Sequence, residues 1–225
     1  MNPPSTPGTM RLRSRVLANV PLIIGCNATE YTLFDQPPET IDDAALHARI
    51  KSRLHLDDDT VNGLIAVYKK AHGSNIEACV ALESDYFMRM NSIVQAERRV
   101  ALGKAPTYMY LFTWRTPVDD GKLRSPHALE LPFVFDHVDV AEAFTGTGRE
   151  RYVLATQMSS TWATFARSGN PNHAGLPNWT PYHTKLRSTL IFDNKCKVVD
   201  DPGGQDRMAF KTSGALEVTL NRSMA

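Results

Sequence analysis

Val20-Pro21-Leu22-Ile23-Ile24-Gly25-Cys26-Asn27-Ala28-Thr29-Glu30 is the stretch on which the fold turns. Val20 to Gly25 is a continuous apolar run closed by a glycine, the pattern of a short strand buried on both faces in a parallel sheet. A helix is hard to reconcile with Pro21. A second reading competes for the same residues. Arg11, Arg13 and Arg15 precede Val16 to Gly25 and then Cys26, as in a bacterial lipoprotein export signal. The apolar part is short and contains Pro21, so the buried strand is the better reading.

Downstream, the pattern turns helical in four pieces: Ile41 to Leu54, Thr60 to Ala71, Ile76 to Leu82 and Asp85 to Leu102. Turn-formers at Asp57 to Asp59, Gly73 to Asn75 and Ser84-Asp85 separate them, and the last two groups are expected N-caps. Pro106 to Trp114, dense in aromatic and β-branched residues, predicts a second strand. A loop follows from Arg115 to Leu131. Arg149 to Ser168 predicts a long amphipathic helix with Tyr152, Ala155, Met158, Ser159, Trp162, Phe165 and Ala166 inward and Gly169 as its stop. Asn170 to Pro181 reads as loop, Leu190 to Phe192 as a short edge strand, and a last helix is expected to begin near Gln205.

The 225 residues, 42% hydrophobic and 22% charged, have the composition of a globular protein of one domain or two. With 25 basic and 24 acidic side chains, net charge is +1, and no whole-chain field favours nucleic acid or an anionic membrane. No apolar run reaches the roughly 18 residues of a membrane span, so no membrane partner and a cytoplasmic location are expected. Residues 1–15 read as a flexible lead-in and 16–225 as the folded part. Cys26, Cys79 and Cys196 form neither a CxxC pair nor a His/Cys cluster; structural thiols are expected, with one disulfide open if the protein is exported, and no metal or cofactor.

Two reactive side chains stand just after predicted strands: Glu30, five residues beyond Gly25, and His127, in the loop after Pro106 to Trp114. Such loops are where α/β sheets usually build their sites. Spacing alone leaves either residue more often structural. The order acid then histidine is, however, the order in which α/β-hydrolases supply the partners of a nucleophilic serine.

The chain resembles the type B carboxylesterases, which include bacterial para-nitrobenzyl esterases and the cholinesterases. Val20 to Asn27 followed by Glu30 and Leu33-Phe34 looks like the family's acid-bearing strand and turn. His127-Ala128-Leu129-Glu130-Leu131-Pro132-Phe133-Val134-Phe135 is similar to its histidine motif nearly letter for letter. Trp162 to Asn172, Leu176 to Trp179, Tyr182, Phe192-Asp193, Asp201-Pro202 and Arg207 match the C-terminal part in order and spacing, so the likeness spans roughly Val16 to Phe210.

The resemblance implies the C-terminal portion of an α/β-hydrolase fold, a few strands with surrounding helices, lacking the N-terminal sheet and nucleophile elbow. It implies Glu30 as triad acid and His127 as general base, with Glu130 a rival acid that instead braces the loop. Tyr31 departs from a position that is often glycine in the family, and Pro126 precedes the histidine. No G-x-S-x-G occurs in the sequence. Removing a triad serine costs about a millionfold in turnover in a well-studied serine protease, so this chain by itself is expected to be inactive. The expected partners are a small carboxylic ester in the complete enzyme and a complementary N-terminal fragment. Two other readings compete: a non-catalytic binding or adhesion module on this fold, and a poorly folding remnant with an exposed apolar strand.

Overall fold

The structure, a computed structural model, describes residues 18–215. The expected lead-in and the arginines of the export-signal reading lie outside them. Four strands make the described sheet: β1 (Leu22–Asn27), β2 (Thr107–Phe112), β3 (Ser188–Phe192) and β4 (Lys197–Asp200), side by side in that order. β1 pairs parallel with β2 and β2 parallel with β3, while β4 runs antiparallel to β3. The first strand starts after Pro21, whose ring nitrogen can donate nothing to a ladder. Gly25 faces Tyr110 across the β1–β2 pair, and a Cβ there would stand 2.4 Å from both the Tyr110 ring and its carbonyl oxygen.

Leu190 to Phe192 is a correction to the expected edge strand. β3 is interior, paired on both sides and buried throughout, and the edge on its side of the described sheet is β4, a short strand with exposed ends outside the expected strands. The helices between β1 and β2 are α1 (Asp43–Leu54), α2 (Asp58–His72), α3 (Asn75–Ser84) and α4 (Met90–Leu102). Asp42, Asp57 and Ser74 cap the first three through side-chain bonds to backbone N–H groups. The cap expected at Ser84-Asp85 is absent: α3 runs on through a π segment, Asp85–Arg89, into α4. Asp85 is buried, bonded to Tyr68 Oη and Arg89, so its carboxylate serves a tertiary network rather than a helix start.

After β2 come two single-turn helices, α5 (Leu131–Val134) and α6 (Glu142–Thr145), then α7 (Glu150–Ser168) ended by Gly169 at φ 72°, and after β4 the last helix, α8 (Gly204–Thr212). The buried stripe of α7 is set by Arg151, Leu154, Ala155, Met158 and Thr161; Tyr152 and Ala166, expected inward, are exposed. Arg151 replaces Tyr152 because its guanidinium bonds Thr145 Oγ1 and Glu142.

Strand alternation divides the core into two layers. Ile24 and Met109 meet Ile50, Tyr68, Ile93 and Phe210 on the α1–α4 and α8 side. Ile23, Tyr108, Phe112, Leu190 and Phe192 meet Phe133, Leu154 and Met158 on the α5 and α7 side. Helices therefore cover both faces and leave the C-terminal ends of β1 and β2 to carry loops. No helix among the described residues is long and apolar enough to cross a membrane.

Candidate active site

The C-terminal ends of two neighbouring parallel strands lie side by side, and each runs into a loop. β1 runs into a 3-10 turn, Glu30–Leu33, in which Glu30 is buried. The loop after β2 returns to that turn at Ser125 and His127. Thr29 N donates to Ser125 O at 3.1 Å, Ser125 N donates to Thr29 Oγ1 at 2.8 Å, and Ser125 Oγ donates to Phe112 O at 2.9 Å. His127 N donates to Glu30 O at 3.3 Å. Ala128, next in the chain, takes φ 65°, a left-handed turn that reverses the backbone just past the imidazole, and Leu129 beyond it is fully buried.

This framework brings Glu30 and His127 together: Nδ1 of the ring lies 2.6 Å from Glu30 Oε2. The other carboxylate oxygen accepts the Asn27 backbone N–H at 2.7 Å. Glu30 is 4% exposed at its side chain and His127 37%, so the ring lies between a buried acid and solvent. Burial pushes the Glu30 carboxyl above the usual range, and the bonds from Asn27 N and His127 pull it part of the way back. Phe34 and Phe87 flank the imidazole, with ring centroids 5.5 and 6.1 Å from it. When Nδ1–H is donated to Glu30, the neutral ring carries its lone pair on Nε2, in the form a general base requires.

Glu130 is engaged elsewhere: its Oε2 accepts Asn27 Nδ2 at 2.6 Å, and the same Nδ2 donates to Pro126 O at 2.6 Å. Asn27 and Phe87 were missed in the sequence. Asn27 lies inside the quoted strand, but its partners stand about a hundred residues away, and Phe87 reaches the site from the π segment. Cys26, Cys79 and Cys196 are unpaired, and burial pushes the Cys79 thiol up to about 12. No group of three or more His, Cys, Asp or Glu that would hold a metal occurs among the described residues.

A second imidazole–carboxylate pair lies apart from these loops. His72, in the last turn of α2, has Nε2 3.1 Å from Asp206 Oδ2 in the first turn of α8. Its ring stacks on Tyr68, centroids 5.5 Å apart. The hydrogen bond to Asp206 raises the His72 pKa against the opposing effect of burial.

The sequence profile headed "Carboxylesterase family" matches residues 4–211. The chain is 29% identical to a para-nitrobenzyl esterase of Bacillus subtilis, over 84% of this chain and 37% of the relative. It is 30% identical to mouse carboxylesterase 1E, over 74% of this chain and 32% of the relative. Among solved structures, a carboxylesterase of Geobacillus stearothermophilus superposes with TM-score 0.73 at 30% identity, covering 89% of this chain and 42% of its own. A thermophilic pNB esterase gives TM-score 0.66 at 25% identity, over 87% and 40%. The fold is that of the α/β hydrolases, and the chain spans well under half the length of these relatives.

Proposed function

Because the chain belongs to the carboxylesterase family, we propose that Glu30 and His127 are the acid and the base of a serine esterase site acting on a small carboxylic ester. The nucleophile is a serine outside this sequence, on a preceding segment or a separate complementary chain, held against His127 Nε2. The observation that carries the reading is the 2.6 Å contact between His127 Nδ1 and a buried Glu30, built on the ends of two adjacent parallel strands.

In the reaction, the serine Oγ attacks the ester carbonyl carbon while its proton passes to His127 Nε2. Ionised Glu30 stabilises the resulting imidazolium and keeps Nδ1–H oriented. Collapse of the tetrahedral intermediate expels the alcohol, which takes the proton from Nε2. Water, activated by the same nitrogen, then releases the acid and frees the serine.

The test joins this chain behind a G-x-S-x-G-bearing segment from an esterase of the same family and follows a short-chain nitrophenyl ester. Hydrolysis is expected to appear with the joined protein and to vanish when the donated serine becomes alanine. Turnover that survives both His127→Gln and Glu30→Gln in the folded, joined protein would overturn the assignment.

A further inference from the structure

We infer that Asn27 is the positioning residue that holds His127 against Glu30; the inference rests on the acid–base reading of that pair and deepens it. Asn27 ends β1, is 1% exposed, and reaches both halves of the pair through different groups. Its backbone N–H donates to Glu30 Oε1 at 2.7 Å, fixing the carboxylate that the ring addresses. Its side-chain Nδ2 donates to Pro126 O and to Glu130 Oε2, each at 2.6 Å. Pro126 immediately precedes His127 and Glu130 follows it by three, so one amide brackets the histidine on both sides.

The chemistry of the partners dictates the residue. Carbonyl and carboxylate oxygens accept, so the group between Pro126 O and Glu130 Oε2 must offer two N–H donors and bring no negative charge of its own. Turning the amide over would set Oδ1 against two acceptors. In the observed orientation Oδ1 is buried without a hydrogen-bond partner among the described residues. The site therefore keeps the donor edge of this side chain at the expense of its acceptor edge. Aspartate would gather three acceptors, and an apolar residue would leave the Pro126 carbonyl and the Glu130 carboxylate without their donor. Either change loosens the turn that carries the imidazole, while the backbone bond to Glu30 Oε1 stays available.

NMR on the 15N-labelled chain tests this without a nucleophile. In the parent, the Asn27 Nδ2 protons should be protected from exchange, and the His127 Nδ1 proton should be visible and slow to exchange. Asn27→Ala and Asn27→Asp should each speed exchange of the His127 Nδ1 proton by about tenfold or more, the equivalent of one lost hydrogen bond. Adding Glu130→Gln to Asn27→Asp should recover part of the loss, since the glutamine amide donates to the new carboxylate. A residue that merely fills space would lower the melting temperature and leave Nδ1 exchange in the folded variant unchanged, and that result overturns the inference. If neither variant folds, the parent decides: protected Asn27 Nδ2 protons support the clasp and freely exchanging ones overturn it. Glu30→Gln separates the two levels. If it leaves the His127 Nδ1 proton as slow as before, the acid–base reading fails; if it releases that proton while Asn27→Ala does not, only the role of Asn27 fails.

Discussion

His127–Glu30 and His72–Asp206 have nearly the same exposures: rings 37% and 31% exposed, carboxylates 4% and 5%. Their settings differ in what the chain does around them. His72 closes α2 and Asp206 opens α8, so each charge sits at the helix end whose dipole favours it, and the pair pins two helices together. It engages the carboxylate through Nε2, the ring nitrogen farther along the side chain. His127 uses the near nitrogen, which leaves Nε2 outside this contact, on a loop after the C-terminal end of β2. A histidine beside a carboxylate is thus a common packing outcome; the nitrogen engaged and the element that carries it separate a clamp from a candidate base.

The sharpest break between the pairs should come in the joined esterase. There His127→Gln and Glu30→Gln are expected to lower kcat by about a thousandfold or more, while His72→Gln changes it less than about twofold. Equal losses from His127→Gln and His72→Gln would erase the distinction. Next in size, Gly25→Ala forces a methyl into the Tyr110 ring and carbonyl. Unfolding in urea should show a loss of about 2–3 kcal/mol, and the His127 Nδ1 proton should be disturbed while the His72–Asp206 contact survives.

The smallest effects are in the pH dependence of stability. The folded pKa of His72 is raised by Asp206, so its contribution is complete below the unfolded value of about 6.5 and fades as pH climbs through the folded value. The melting-temperature gap between parent and Asp206→Asn should therefore shrink above neutrality, and the free energy involved should stay under about 1 kcal/mol for this partly exposed ring. Glu30 is also raised, but by burial, and its window opens lower. The parent should lose stability relative to Glu30→Gln as pH rises from about 4.3. A gap that widens with pH for His72, or a parent that gains stability relative to Glu30→Gln as pH rises from about 4.3, would reverse the assigned causes.

The same physics explains how far the sequence could be read. β1, β2 and the long helices announce themselves through local pattern, and Glu30 and His127 through motifs that follow those strands. β4 does not: Lys197 and Asp200 bound only Val198 and Val199, and its pairing with β3 is what makes it a strand. The π segment hides because Ser84-Asp85 reads as a cap until Tyr68 and Arg89 claim the aspartate. On α7, an arginine buried by Thr145 and Glu142 shifts the inward stripe by one residue, which hydrophobic periodicity cannot foresee. Asn27 belongs with these, since its partners Pro126 and Glu130 meet it only once β1 and β2 pair.

On the proposed reading, Glu30 and His127 act only with a serine supplied from outside this sequence. The most direct test of that reading is hydrolysis of a nitrophenyl acetate by the purified 225-residue chain. The expected rate is indistinguishable from buffer and unchanged by His127→Gln. Saturable turnover that a serine-directed inhibitor stops and His127→Gln abolishes would contradict it.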